Sequence, residues 1–217
     1  MPNWCSSGIV FYSENEKSLA NLQRKLNEIY EGKPTPDNAF GKGCMRDYAN
    51  TFFPNIGAAQ IECKGFVSYI GKIEPRENIF AFLICTQTAW TAKVGLWHRI
   101  IKDFYPDIKM AYVAEEYGSS YYCKWDETGL FFDYDYYVDI EYPGDDEEVL
   151  CIEDHEFISM ESIYKWLDFH LPFKYEKKDD IDELEKEINS KLDEYSPNKF
   201  YCSMAKYNNI PPSEFKF

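Results

Sequence analysis

The sequence predicts an α+β fold, and three observations carry that expectation. Two stripes, Leu19-Leu22-Leu26-Ile29 and Val94-Trp97-Ile101-Phe104, repeat at spacings of 3, 4 and 3, the signature of amphipathic helices. Around them run short β-branched and aromatic segments bounded by Pro, Gly, Asn and Asp, which read as strands. The 217 residues include 5 Trp, 18 Tyr and 16 Phe, far more apolar ring surface than a disordered acidic chain carries.

In chain order, Cys5–Tyr12 reads as a first strand. Ser13-Glu14-Asn15-Glu16 has capping-box spacing, with Ser13 as the cap and Glu16 reaching back. The first helix follows and Gly32 fits its stop. From Lys33 to Gly57 the chain is punctuated by Pro34, Pro36, Gly41, Gly43 and Pro54. That is a long connection with one helical turn expected near Arg46–Phe53, and connections of this length are often functional. Glu62–Ile73 and Ile79–Thr86 read as strands joined by a turn at Glu74–Asn78. The second helix ends at Pro106, and Lys109–Ala114 is the next strand. The order β-α-β-β-α-β is that of a ferredoxin-like split β-α-β core.

Beyond the core, Ser120–Trp125 and Leu130–Phe132 suggest an additional antiparallel hairpin turning at Asp126-Glu127-Thr128-Gly129. Tyr134–Tyr142 alternates with period two. Tyr136, Val138, Ile140 and Tyr142 are expected on a buried face, and Asp135, Tyr137, Asp139 and Glu141 on a wet, acidic one. The run Pro143-Gly144-Asp145-Asp146-Glu147-Glu148 breaks the alternation. It divides the expected organisation into residues 1–143, the core with its extra hairpin, and residues 144–217, a small helical C-terminal region packed on it. That region holds a short strand at Val149–Ile152, a helix opened by Ser159 and closed by Pro172, and a charged helix over Asp179–Tyr195 with the stripe Ile181-Leu184-Ile188-Leu192. Phe200–Phe217 reads as irregular.

Charge narrows the function classes. The chain carries 23 Lys+Arg and 38 Asp+Glu, a formal net charge of −15. Residues 1–110 hold 13 basic and 11 acidic side chains, whereas 111–217 hold 10 and 27. A chain this acidic is not expected to bind nucleic acid, which recruits Lys and Arg to phosphates. No stretch of about 18 apolar residues suggests a membrane span. Seven dispersed cysteines without a CxxC pair, and a start lacking basic and apolar signal regions, fit reduced thiols in the cytoplasm.

Four short segments carry a resemblance. Met1-Pro2-Asn3-Trp4-Cys5, Thr88-Ala89-Trp90-Thr91, Phe104-Tyr105-Pro106 and Glu115-Glu116-Tyr117-Gly118 resemble the YubB-like family, ferredoxin-like proteins encoded on plasmids, phages and related mobile elements. The pieces span residues 1–118. Where the family pattern often continues Trp-Ser-Pro-Pro, this chain has Trp90-Thr91-Ala92-Lys93. The resemblance implies a fold, a bacterial mobile-element setting and a cytoplasmic address. It brings no catalytic residues.

Chemistry-bearing patterns are each outweighed by plainer readings. Pro2 could act as a general base only with Met1 removed, and otherwise it precedes a strand. Cys5 or Cys85 with His98 would need a depressed thiol pKa, whereas cysteines in apolar strands are usually inert. Glu153-Asp154-His155-Glu156 and Asp133-x-Asp135 cluster oxygen ligands but lack the EF-hand spacing, and a carboxylate run is usually a solvated loop. Rings abound over 121–142, yet the neighbouring charges are acidic and repel phosphates. No catalytic, cofactor-binding or metal-binding residue is therefore assigned.

The expected function is non-catalytic binding of a basic protein partner, of the nucleic-acid-binding or host-defence kind. It would act through Asp135, Tyr137, Asp139, Glu141, Asp145 and Asp146. On strand spacing of about 6.7 Å between alternate residues, against about 3.4 Å between charges on one DNA strand, β-strand acids alone are too sparse to imitate DNA. Partial mimicry needs Asp145–Glu148 and the helix acids Asp182, Glu183, Glu185, Glu187 and Asp193 to share that face. The alternative is an enzyme or small-ligand binder built on the 33–57 loop and the Trp90 turn.

Overall fold

The first strand runs Trp4–Ser13 (β1), one residue longer at each end than its apolar alternation predicts. Because Ser13 is still paired in the strand, opposite Phe80, it cannot cap the helix. Asn15 does so instead, its side chain accepting from the Ser18 amide at 3.2 Å, while the Ser13 hydroxyl donates to the Asp107 carbonyl. These features belong to a computed structural model that describes residues 3–33, 40–56, 60–143, 150–195 and 200–217. Within it the chain divides into two compact units, Met1–Phe132 with Asn208–Phe217, and Asp133–Tyr207.

In the first unit, β1 is followed by α1 (Glu16–Glu31), α2 (Met45–Phe52), β2 (Gly65–Ile70), β3 (Glu74–Arg76), β4 (Ile79–Ala89), α3 (Val94–Phe104), β5 (Lys109–Glu116) and β6 (Tyr121–Trp125). The 33–57 connection thus holds two helical turns rather than one. The expected turn at Glu74–Asn78 is in part a strand. β3 pairs with β4 through a tight reversal at Glu77-Asn78, where Glu77 takes φ 51°. The sheet order is β6-β5-β1-β4-β2 with β3 also on β4, all antiparallel.

Alternation sorts β1 between two cores. Cys5, Ile9 and Phe11 join the α1 stripe Leu19, Leu22 and Leu26, Tyr48 of α2 and Trp97 of α3 in the main cluster. Each fully buried aliphatic side chain there contributes about 1.5–3 kcal/mol. Val10 and Tyr12 face the other way, with Ala81 and Ala111, and Phe131 and Phe132 pack on them.

Phe131 and Phe132 do not form the expected hairpin strand. Their amides donate to the Asp126 carboxylate at 2.8 and 3.0 Å, so the donors a ladder would use are taken. β6 is instead flanked by Asn208–Asn209 (β10), which pairs in parallel with Cys123 and Lys124. The tail thus returns to the first unit, closed by a helical turn at Pro212–Glu214.

The second unit is a three-stranded antiparallel sheet with two helices on one face. β7 (Tyr136–Pro143) is central, between β8 (Leu150–Phe157) and β9 (Cys202–Lys206). α4 (Met160–His170) and α5 (Ile181–Tyr195) cover the face that presents Val138, Ile140 and Tyr142. The α5 stripe Ile181, Leu184, Ile188 and Leu192 is buried throughout, as its spacing predicts. The expected boundary at 143/144 therefore falls between two paired strands, and the region after it is not simply helical. The reason is non-local pairing: β7 completes its sheet only with β8 and with β9, some sixty residues on.

Candidate functional site

β7 places its side chains as the period-two pattern requires. Val138, Ile140 and Tyr142 enter the helix-covered core, while Asp135, Asp139 and Glu141 are half-buried on the opposite face. The register adds what one strand cannot show. Asp139 stands directly opposite Asp154 of β8, and Tyr137 opposite Glu156. Glu153–Glu156 is thus an edge strand and not a solvated loop. Asp154 and Glu156 are exposed there. Charged side chains on an edge strand also discourage pairing with another chain.

On the other side, Asp139 faces Ser203 and Tyr137 faces Ala205 of β9. The Tyr201 hydroxyl donates to Asp139 Oδ2 at 3.0 Å. That bond, then burial and the charges of Asp139 and Glu141, raises the Tyr201 pKa above its ordinary value. Among the described residues, no Lys or Arg occupies a register position of this face. Asp154 and Glu141 form no ion pair among the described residues.

The expected partner-binding residues fall into three groups. Asp139 and Glu141 share the acidic face with Asp154 and Glu156, which sequence reasoning left out because their pairing with β7 is not local. Asp135 is half-buried, its backbone tied by its amide to the Phe157 carbonyl and by its carbonyl to the Tyr207 amide. Tyr137 departs from the expectation of a wet side chain. It is 6% exposed, because β7 is a central strand whose neighbours flank it on both sides. Asp145 and Asp146 lie outside the described residues.

The helix acids do not extend this face. α5 lies on the opposite, core-covering layer of its unit, and two of its acids are used internally. Glu185 Oε2 accepts from the Met204 amide at 2.7 Å, and Glu187 Oε1 from the Glu176 amide at 3.0 Å. Asn189 completes the cover of the β9 edge, exchanging hydrogen bonds of 2.7 and 2.8 Å with the Cys202 backbone. Among the described residues, the strand acids and the α5 acids therefore form no single DNA-like array. The unit is nonetheless strongly negative: Asp133–Tyr207 holds 8 basic and 22 acidic side chains, −14 of the −15 total.

Three of the four segments that carry the resemblance, those holding Asn3, Trp90 and Gly118, meet at one end of the first unit's sheet, whereas Phe104–Pro106 precedes β5 at the other end. The Trp90 amide donates to the Asn3 carbonyl at 2.9 Å, and the Thr88 hydroxyl bonds the Thr91 carbonyl at 2.9 Å. The buried Glu116 carboxylate accepts from the Gly118 amide at 2.8 Å and from the Ser119 hydroxyl. At Gly118 a Cβ would stand 2.6 Å from Asn3 Nδ2 and 2.9 Å from Glu116 Oε1, so a larger residue there would displace those side chains. Trp90 takes φ 70° and is 54% exposed. Phe40, from the 33–57 connection, packs edge-on to Trp4 at 5.8 Å.

Thiol chemistry finds no support. Burial pushes the Cys5 thiol up to about 12 and raises Cys85 as well. Burial, and then the charge of Lys102, lowers the His98 pKa, and neither thiol lines the cavity that His98 borders. Among the described residues no group of three His, Cys, Asp or Glu could hold a metal ion, and no helix is long and apolar enough to cross a membrane. A scan against protein-family models finds no match, and searches of curated proteins and of solved structures return none.

Proposed function

We propose that the protein is a non-catalytic binding protein whose Asp133–Tyr207 unit engages a basic protein segment on the β7–β8 face. The observation that carries this reading is the direct opposition of Asp139 and Asp154 on a face with Glu141 and Glu156 and no cation in register. Like charges directly opposed destabilise a sheet, and partner Lys or Arg side chains would relieve that repulsion on binding. The segregation of −14 into this one unit adds long-range attraction for a basic partner.

The first unit reads as a ferredoxin-like split β-α-β core. In support, β5-β1-β4-β2 is the antiparallel order that arrangement requires, with α1 and α3 in the two crossovers. Kinship with the YubB-like family, and with it a mobile-element setting and a partner from host defence, is part of the same proposal. Its support is the convergence of Asn3, Trp90 and Gly118.

The test uses the whole chain as bait at low and at high ionic strength, beside a variant carrying Asp139→Lys and Glu141→Lys. A basic partner captured at low salt, released at high salt and absent from the folded variant is the expected result. Equal capture by the variant would refute the face.

A further inference from the structure

In the first unit a cavity of about 400 Å³ opens where β1 ends and β5 begins, a size typical of small-ligand sites. Its polar lining is basic, although the chain is acidic. His98 and Lys102, four residues apart, project from the same face of α3. Lys109, paired in register with Tyr12, enters from β5. Neither lysine forms an ion pair among the described residues. Glu127, on the turn after β6, is the one carboxylate in the lining among the described residues. Lys109 also borders a neighbouring cavity, where the Asp107 carboxylate is already engaged by Asn15 Nδ2 at 3.1 Å and the Ser18 hydroxyl at 2.8 Å.

A second observation is independent of these charges. Tyr12 is 4% exposed and lines both cavities, and its hydroxyl, which forms no hydrogen bond among the described residues, is not closed off from water. A ligand acceptor can therefore reach that hydroxyl and take the place of water on it. Apart from Ser213 the remaining walls are apolar, Ile101, Trp125 and the Pro211-Pro212 pair of the returning tail among them.

We infer that this cavity binds a small organic anion with an apolar ring. Its carboxylate or phosphate head would meet Lys102, Lys109 and His98, with Tyr12 donating, while the ring lies against Ile101, Trp125 and Pro211-Pro212. The reading is independent of the acidic face, since every residue it uses belongs to the first unit.

The chain has 3 histidines, so the imidazole resonances of His98, His155 and His170 can be followed separately by NMR. The probes are phenyl phosphate, benzoate, inorganic phosphate and neutral benzyl alcohol. A saturable shift of His98 with phenyl phosphate or benzoate, and none with benzyl alcohol, is expected, and the stronger of the two anions identifies the head. Bound anion also raises the His98 pKa, because its charge offsets that of Lys102. Each of Lys102→Gln and Lys109→Gln weakens binding about tenfold, whereas Glu127→Gln tightens it; all three sites are exposed, and unfolding midpoints confirm the fold. Benzyl alcohol binding as well as the anions, undiminished binding by the double lysine variant, or an unmoved His98 overturns the proposal. Inorganic phosphate binding as tightly as phenyl phosphate overturns the apolar half of the site.

Discussion

Asp139 and Asp154 occupy directly opposed positions of β7 and β8, two carboxylates facing one another across the small sheet. Replacing one of them by a cation converts a repulsive cross-strand pair into an attractive one. Asp154→Lys is expected to stabilise the fold by about 0.5 kcal/mol while abolishing capture of a basic partner. Urea unfolding measures the gain, which should shrink as salt is added. An unchanged midpoint at low salt would show that the two carboxylates do not interact.

Asp126 organises the turn after β6 by accepting from the amides of Thr128, Phe131 and Phe132 and from the Thr128 hydroxyl. Burial opposes its ionisation, but these hydrogen bonds outweigh burial and hold the carboxyl below its ordinary value. A depressed folded-state pKa contributes stability that is complete above the unfolded value of about 3.9 and is lost as pH falls through the folded one. Asp126→Asn should therefore cost about 1–2 kcal/mol at neutral pH, with the gap to the parent closing in acid. A gap that stays constant from pH 7 down to acid unfolding would remove Asp126 from the account.

Tyr48 and Trp97 lie with ring centroids 5.2 Å apart in the main core, and neither the Tyr48 hydroxyl nor Trp97 Nε1 has a hydrogen-bond partner among the described residues. Tyr48→Phe deletes a buried polar atom and keeps the ring. Thermal unfolding should show stability unchanged or raised by about 1 kcal/mol; a loss of that size would mean the hydroxyl is satisfied.

Gly95, in the first turn of α3, has no room for a side chain, because a Cβ would stand 2.1 Å from the Lys216 carbonyl oxygen. Gly95→Ala should push the tail away, costing about 1–3 kcal/mol and loosening the Phe217 ring from Phe53, now 4.7 Å away. Hydrogen exchange at residues 213–217 is the measurement. Unaltered protection there would show that the helix, not the tail, gives way.

Helices were the most legible elements. The stripes of α1, α3 and α5 predict buried faces that the packing bears out, except that Phe104 at the end of α3 is 48% exposed. The two faces of β7 were legible as well, apart from the burial of Tyr137, because side-chain direction in a strand follows from backbone geometry whereas burial depends on the flanking strands. Three features were not. β8 runs through Glu153–Glu156, a segment whose polarity suits a loop. Leu130–Phe132 looks like a strand, yet its amides go to Asp126. Asn208–Asn209 pairs with β6 from far along the chain. In each case the deciding hydrogen bond comes from a partner that local pattern does not name.

The same division holds for the candidate sites. By itself the sequence determined that the acidity lies in the second half, that β7 carries carboxylates on one face, and that the main helices are amphipathic; each depends only on composition or on short-range period. Tertiary structure alone decided that Asp154 opposes Asp139, that the α5 acids stand on the other layer, and that His98, Lys102, Lys109 and Tyr12 line one cavity. Those outcomes depend on register and on crossover connections, which arise from the packing of segments distant in the chain.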